Sequence, residues 1–423
     1  MIILRNNTVF ALLMTCLLAG CSVSKRIHKD IESSSYEEDY FKGISVMNAK
    51  TGEFLVDFNA SKNFTPASNV KLFTLYAALK TLKDSVASFD YVSVGDSLII
   101  KGTANPMFLT DSIGNGALKF LAGKNEKLYL KDEKIDEPVY GAGWSWDDYP
   151  YAYMPEKHLF PIYGNVITLN KTGDRVGVEP DFFQDRIHSS NDSNSFRDRD
   201  ENEFYIDKST NFSNRKVPFI TSNQLVADLL SQKLNRKVVL LETDKEYDYQ
   251  SFKEVAYDTL YRHMMVDSDN FIAEQLMLRV GSVTKGVYSV KEAIDYSMEN
   301  YIDDLPQKPR WVDGSGLSRY NMFSPESMTY ILKKMYDEIP HPQLFSYFPK
   351  GGVDGTLKNN YPGQSYILAK SGSLSNNYNL SGYLRTKKGE LLIFSYMTNH
   401  FKGKSIQRKK EIAVFLKKLH DSY

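Results

Sequence analysis

The chain has 423 residues, which at roughly 150 residues per domain gives two or three domains. Apolar residues make up 42% and charged residues 25%, so the chain can bury a sizeable core and is not a disordered segment. Lys and Arg number 52 and Asp and Glu also 52, so no basic excess calls for a nucleic-acid partner.

The N-terminus reads as a targeting segment. Arg5 precedes an apolar run from Val9 to Leu18, which ends in Leu18-Ala19-Gly20-Cys21. The run is too short to span a membrane and has small residues before a cut, as in a secretory signal over residues 1–20. Leu-Ala-Gly-Cys resembles a bacterial lipobox, in which Cys21 is lipidated and becomes the first residue. The alternative is an ordinary signal peptide with a chance Cys. Cys16 and Cys21 are the only cysteines, so the mature chain would hold no disulfide. Residues 21–42 are polar and charged, as suits a tether.

From Gly43 the texture changes. Ile44–Met47 and Phe54–Val56 read as a hairpin around Lys50-Thr51-Gly52. Apolar residues recur at helical spacing from Val70 to Leu79, predicting a buried helix over about 69–82 with Ser68 as its N-cap. Residues 89–242 show short alternating runs broken by turn signals, which predicts a mainly β insert with some helix. Within it, the polar stretch 187–203 reads as an exposed loop. Helices are predicted over 252–266 and 271–280, on either side of Asp267-Ser268-Asp269-Asn270, and again over 324–337. Strand-like runs follow at 366–369, 380–385 and 391–398, and a helix over about 404–419 closes the chain. The expected organisation is therefore a discontinuous domain, 43–88 with 243–423, interrupted by an insert over 89–242.

Three short motifs carry chemistry. Ser68 and Lys71 lie three apart at a helix start, so the amine can reach the hydroxyl, and backbone N–H groups there can help hold an oxyanion. The bare pattern Ser-x-x-Lys is weak, since it also starts at Ser22, Ser213 and Ser282. Only Ser68 follows Pro66-Ala67 and opens an amphipathic helix. Ser268-Asp269-Asn270 offers a hydroxyl that can pass a proton and an amide that can orient both a Lys and a substrate amide. Lys370-Ser371-Gly372-Ser373 ends an apolar strand. Its Lys and hydroxyls suit a substrate carboxylate, Gly372 lets a substrate backbone approach, and the Ser373 N–H is a candidate oxyanion donor. Literal Lys-Thr-Gly occurs at Lys50 and Lys171, and each reads as a turn. The order of the three elements is that of penicillin-binding proteins and class A β-lactamases.

More closely, the sequence resembles the D-alanyl-D-alanine carboxypeptidases of the penicillin-binding protein 4 type, peptidase family S13. The residues that carry the likeness are Thr65-Pro66-Ala67-Ser68-Asn69-Val70-Lys71-Leu72, Gly143-Trp144-Ser145-Trp146-Asp147-Asp148, Asp313-Gly314-Ser315-Gly316-Leu317-Ser318-Arg319 and Asp354-Gly355-Thr356-Leu357. One departure is Lys-Ser-Gly where Lys-Thr-Gly is usual; the hydroxyl is kept. The resemblance implies an α/β (α+β) transpeptidase-like domain, with an antiparallel sheet flanked by helices and an inserted region. It implies a serine enzyme that cleaves the terminal D-Ala-D-Ala bond of peptidoglycan stem peptides, and in some members peptide crosslinks.

On that reading Ser68, Lys71, Ser268 and Asn270 are catalytic, while Lys370, Ser371, Gly372 and Ser373 bind the substrate. Asp148 receives the amino group of the stem-peptide diamino acid, or is a surface acid beside two structural Trp residues. Asp313 reads as a structural acid. β-Lactams are expected as covalent inhibitors, the cell envelope as the location, and the Cys21 lipid as the membrane anchor. No cofactor is implied. The seven His residues are scattered without a His-Glu-x-x-His run, against a metallopeptidase. A β-lactamase, or a wall-binding lipoprotein without activity, shares the motifs and stands as the alternative.

Overall fold

The computed structural model describes residues 25, 27, 29, 31, 39–110, 114–191 and 196–423; the expected signal peptide and Cys21 lie outside them. An antiparallel sheet of five strands forms the base of the site. Its strands are β1 (Phe41–Asn48), β2 (Phe54–Phe58), β14 (Ile367–Leu374), β15 (Asn377–Arg385) and β16 (Leu391–Asn399), in the order β14-β15-β16-β1-β2. Their side chains alternate between two cores, as the period of two requires. Met47, Ile393 and Met397 join one core, while Val46, Leu392 and Phe394 join the other.

The first core is helical. It contains α1 (Lys71–Thr81), α4 (Tyr257–Val266), α5 (Asn270–Lys285), α6 (Val290–Asn300) and α7 (Pro325–Glu338), and α8 (His341–Ser346) contributes Leu344 to it. Helix α9 (Ile406–Ser422) covers the opposite face through Ile412, Leu416 and Leu419. Ser324 caps α7 by accepting the Ser327 N–H at 3.0 Å, with Pro325 at its first position.

Between α1 and α4 the chain builds three further sheets. The largest has the order β12-β5-β4-β3-β13, from β3 (Ser85–Val94), β4 (Ser97–Lys101), β5 (Lys127–Lys131), β12 (Val238–Leu241) and β13 (Gln250–Ala256). Two three-stranded sheets use β6 (Val166–Thr172), β7 (Arg175–Glu179) and β11 (Phe212–Pro218), and β8 (Ile187–Ser190), β9 (Phe196–Arg197) and β10 (Phe204–Asp207). Helices α2 (Gly116–Ala122) and α3 (Asn223–Leu234) pack on these sheets around Phe89, Phe160, Phe183 and Leu229.

Three sequence expectations change. First, 252–256 is strand, not helix. Phe252 pairs with Phe89 in register and stacks on its ring at 5.6 Å, so tertiary pairing overrides the helical periodicity that begins only at Tyr257. Second, 187–203 is not wholly loop. β8 pairs parallel and β9 antiparallel with β10, and Arg197 is buried with its guanidinium over Tyr149. Third, Ser68 does not cap α1. It lies inside a 3-10 turn, Ala67–Val70, that leads into the helix, and its hydroxyl is turned to Lys71 instead.

Candidate active site

The nucleophile turn is pinned from below by the sheet. The Thr65 N–H donates to Asn399 Oδ1 at 2.6 Å, Asn379 Nδ2 donates to Thr65 O at 2.9 Å, and Asn69 Nδ2 donates to Ser381 Oγ at 2.7 Å. Ala67 takes φ +49°, a conformation that costs a residue with a side chain about 1–3 kcal/mol and persists only where its surroundings enforce it. Here they do. A Cβ at Gly372 would lie 2.4 Å from Pro66 O and 3.0 Å from Ser68 N, so β14 is pressed directly against the turn.

Lys71, fully buried, stands at the centre. Its Nζ reaches Ser68 Oγ at 3.0 Å, Asn270 Oδ1 at 2.6 Å and Ser315 O at 2.6 Å. The Asn270 amide is oriented by its other bond, because its Nδ2 donates to Tyr153 O at 2.9 Å. Asn270 opens α5, whose start is capped by Asp269 accepting the Ile272 N–H at 2.9 Å. Ser268, just before it, has φ +61° and bonds to Lys370 Nζ at 2.7 Å. Lys370, also fully buried, donates to Ser371 O as well. The structure thus brings Ser68, Lys71, Ser268, Asn270, Lys370 and Gly372 together from three parts of the chain.

Ser371 and Ser373 fall elsewhere. Alternation along β14 puts them on the side away from Lys370 and Gly372. Ser371 Oγ donates to Thr356 Oγ1 at 2.9 Å, and Ser373 is exposed. β14 is the edge of its sheet. Its outer side is covered at Leu368 and Ala369 by Lys350 and Pro349, whereas no ladder partner is described for 370–374 on that side. Asp148 is two hydrogen bonds from Asn270: it accepts the Tyr153 hydroxyl at 2.8 Å, and the Tyr153 carbonyl holds the Asn270 amide.

Burial drives the Lys71 amine down to about 8, against the opposing pull of the Asp313, Asp269 and Glu274 charges. Burial, and then the charge of Lys71, hold Lys370 well below the usual amine range.

Asp313 behaves as a structural acid. It accepts from Trp144 Nε1 at 2.9 Å, Gly316 N at 2.9 Å, Ser318 N at 2.6 Å and Asn321 Nδ2 at 2.7 Å. These bonds shape the loop that presents Ser315 O to Lys71. Sequence reasoning missed Ser315, whose contribution is a backbone carbonyl. It also missed Glu274, buried on α5 with Oε1 accepting the Ser315 N–H at 2.8 Å. A signal existed for Glu274: a charged residue inside the apolar run Phe271 to Leu278, four places after Asn270.

Known proteins resemble this chain along most of its length. Residues 25–202 and 220–419 match the D-Ala-D-Ala carboxypeptidase 3 (S13) family. The chain is 23% identical over 438 residues to penicillin-sensitive carboxypeptidase A of Dictyostelium discoideum, covering 87% of this chain and 82% of that one. It is 24% identical over 431 residues to the D-alanyl-D-alanine carboxypeptidase DacB of Haemophilus influenzae, covering 88% of each. The crystal structure of penicillin-binding protein 4 from Haemophilus influenzae shares the fold with a TM-score of 0.72 at 22% identity, over 90% of this chain and 95% of that one. A predatory peptidoglycan endopeptidase of Bdellovibrio bacteriovorus does so with a TM-score of 0.53 at 16% identity, over 90% and 93%. With the family matched along most of its length, the chain belongs to the S13 family of D-Ala-D-Ala carboxypeptidases and is a serine-type hydrolase.

Proposed function

We propose that the chain hydrolyses the terminal D-Ala-D-Ala bond of peptidoglycan stem peptides through an acyl-enzyme on Ser68, with Lys71 as base. The observation that carries this reading is the set of three contacts at Lys71. Two partners, Asn270 Oδ1 and Ser315 O, can only accept hydrogen bonds. A neutral amine has two N–H donors and one lone pair. Satisfying both acceptors therefore turns the lone pair toward the Ser68 hydroxyl, the arrangement a general base needs.

The reaction follows from these positions. Ser68 Oγ attacks the carbonyl carbon of the penultimate residue as its proton passes to Lys71. The amine of the leaving D-Ala then takes that proton from the Lys71 ammonium, with Ser268, bonded to Lys370, as the relaying hydroxyl. The N–H groups of Ser68 and Ser373 hold the oxyanion. Water next releases the acyl group. The uncovered edge of β14 accepts the substrate backbone as an added strand, and Gly372 lets β14 lie against the turn that carries Ser68. Lys370 receives the terminal carboxylate; the Ser371 and Ser373 hydroxyls, on the other side of β14, do not join it there. Asp148, held by Tyr153, receives the side-chain amine of the diamino acid. Crosslinks offer the same bond, so endopeptidase activity belongs to this reading. β-Lactams acylate the same serine; a structure of the Haemophilus influenzae relative is complexed with one.

The insert, which we place between α1 and α4, supplies Tyr153, Trp144 and Asp148 to the site. The enzyme works in the cell envelope, anchored by a lipid on Cys21. Among the described residues no helix is long and apolar enough to cross a membrane. Replacing Cys21 with Ala is expected to move the protein from the membrane fraction to the soluble one.

Incubation with purified muropeptides tests the activity. Free D-Ala, or monomers from crosslinked dimers, is expected from wild type and not from Ser68→Ala. A fluorescent penicillin should label wild type alone. Rapid turnover of the penicillin without release of D-Ala would favour a β-lactamase, and no labelling at all would favour a wall-binding protein without activity.

A further inference from the structure

Glu274 lies one helical turn beyond Asn270 on α5, so the two side chains leave the same face of the helix. It is 1% exposed. Oε1 accepts the Ser315 N–H at 2.8 Å, while Oε2 is buried with no hydrogen-bond partner. Buried polar atoms are rarely left bare, because nothing replaces the water they lose. The residue Glu274 grips is the one that receives Lys71, whose Nζ donates to Ser315 O at 2.6 Å. A single residue thus touches the acid through its N–H and the amine through its carbonyl.

Asp313 provides the contrast. Four donors from Trp144, Gly316, Ser318 and Asn321 surround its carboxylate. When two carboxylates share a buried site, the better solvated one keeps its charge and the other is pushed toward the acid form. Burial, and then the charge of Asp313, raise Glu274 to about 7, with Lys157 pulling the other way. Lys157 is itself paired with Glu137, and burial favours neutral His158 beside it.

We propose that Glu274 is a positioning residue for acylation: its carboxylate, tied to Lys71 through Ser315, sets how readily the amine takes the Ser68 proton. This rests on the Ser68–Lys71 reading above. In that step the Ser68 hydroxyl proton moves to Lys71 Nζ as the bond from Oγ to the carbonyl carbon forms. The ammonium later returns a proton to the leaving nitrogen. An ionised Glu274 stabilises the ammonium and so keeps Lys71 protonated before attack; a neutral Glu274 frees it. The other charges facing Lys71 are Asp313 from the 313–318 loop and Asp269 from the turn before α5, which act in the same sense as Glu274. Lys370 from β14 also faces Lys71, and burial and then the Lys71 charge hold it toward its neutral form.

The test is the rate of acylation by a chromogenic cephalosporin between pH 5 and 10, for wild type, Glu274→Gln and Glu274→Asp. Gln keeps the shape and can still accept from Ser315, but it carries no charge. Its acid limb is expected to move to lower pH by about half a unit to one unit, so that it acylates severalfold faster near pH 7.5. The Asp variant keeps the charge but draws it back from Ser315, and its limb should fall between the two. A limb that stays at the wild-type pH in both variants, whatever the loss of rate, overturns the proposal and leaves Glu274 a structural acid. Where the Gln variant does not fold, the Asp limb alone decides in the same way. A wild type that does not acylate, or a Ser68→Ala variant that does, would instead overturn the Ser68 reading.

Discussion

Gly316 and Ala67 are backbone neighbours across the site: a Cβ at Gly316 would stand 2.0 Å from the Ala67 carbonyl oxygen. Both residues have positive φ, +87° and +49°. The 313–318 loop therefore braces the strained turn that carries Ser68, while the same loop offers Ser315 O to Lys71. Gly316→Ala should strain its own backbone and push the turn away from Lys71. A displacement of about 1 Å in such a site costs on the order of 100-fold in rate. Penicillin labelling kinetics should show that loss, with circular dichroism still reporting the folded chain. Labelling at the wild-type rate would show that the turn does not depend on this brace.

Lys71 makes a prediction about pH. Only its neutral form is a base, and burial brings the amine to about 8. Acylation should therefore rise as pH passes through about 8 and fall tenfold per unit well below it. The same shift acts on stability. Between about 8 and the ordinary value of 10.5 the unfolded chain binds a proton that the folded chain does not. Stability attributable to Lys71 should then increase with pH across that window, by on the order of 3 kcal/mol in total. Lys71→Met removes the increase. Urea unfolding at pH 7, 8, 9 and 10 checks it: a difference between wild type and variant that stays flat would mean the amine keeps its ordinary range when folded.

Much of this site was legible as letters. The order of Ser68, Ser268 and Lys370 along the chain marks three elements whose positions in helix start, interhelix turn and strand are those the structure shows. What was not legible depends on contacts distant in sequence. The carbonyl of Ser315 has no side-chain signature. Ser68 looks like an N-cap because caps and 3-10 turns use the same residues; only the sheet below, through Asn379, Ser381 and Asn399, decides between them. Likewise the helical spacing near Phe252 is genuine, but the ring of Phe89 on β3 captures it in a strand.

Lys370 is expected to take up a proton when substrate binds. Burial and the Lys71 charge favour its neutral amine in the free enzyme. An arriving carboxylate reverses the balance, because an opposite charge at close range favours the charged form. Calorimetry of a peptide ending in D-Ala-D-Ala, titrated into Ser68→Ala at pH 7.5, should give a heat that varies with the ionisation enthalpy of the buffer. The dependence should vanish when Lys370→Ala is added. Equal proton uptake in the two proteins would place the carboxylate elsewhere.

Asp148 should discriminate among stem peptides. It is half-buried, and its described side-chain link to the base runs through Tyr153 and Asn270. Asp148→Asn keeps the bond from the Tyr153 hydroxyl and removes only the charge. KM for a pentapeptide with a free side-chain amine should rise about 5- to 30-fold, the worth of one charge-assisted contact of roughly 1–2 kcal/mol, while kcat changes little. The same peptide with that amine acetylated should be cut equally well by both proteins. A fall in kcat for both peptides would instead mark Asp148 as a support for Tyr153 and Asn270, acting on the base and not on the substrate.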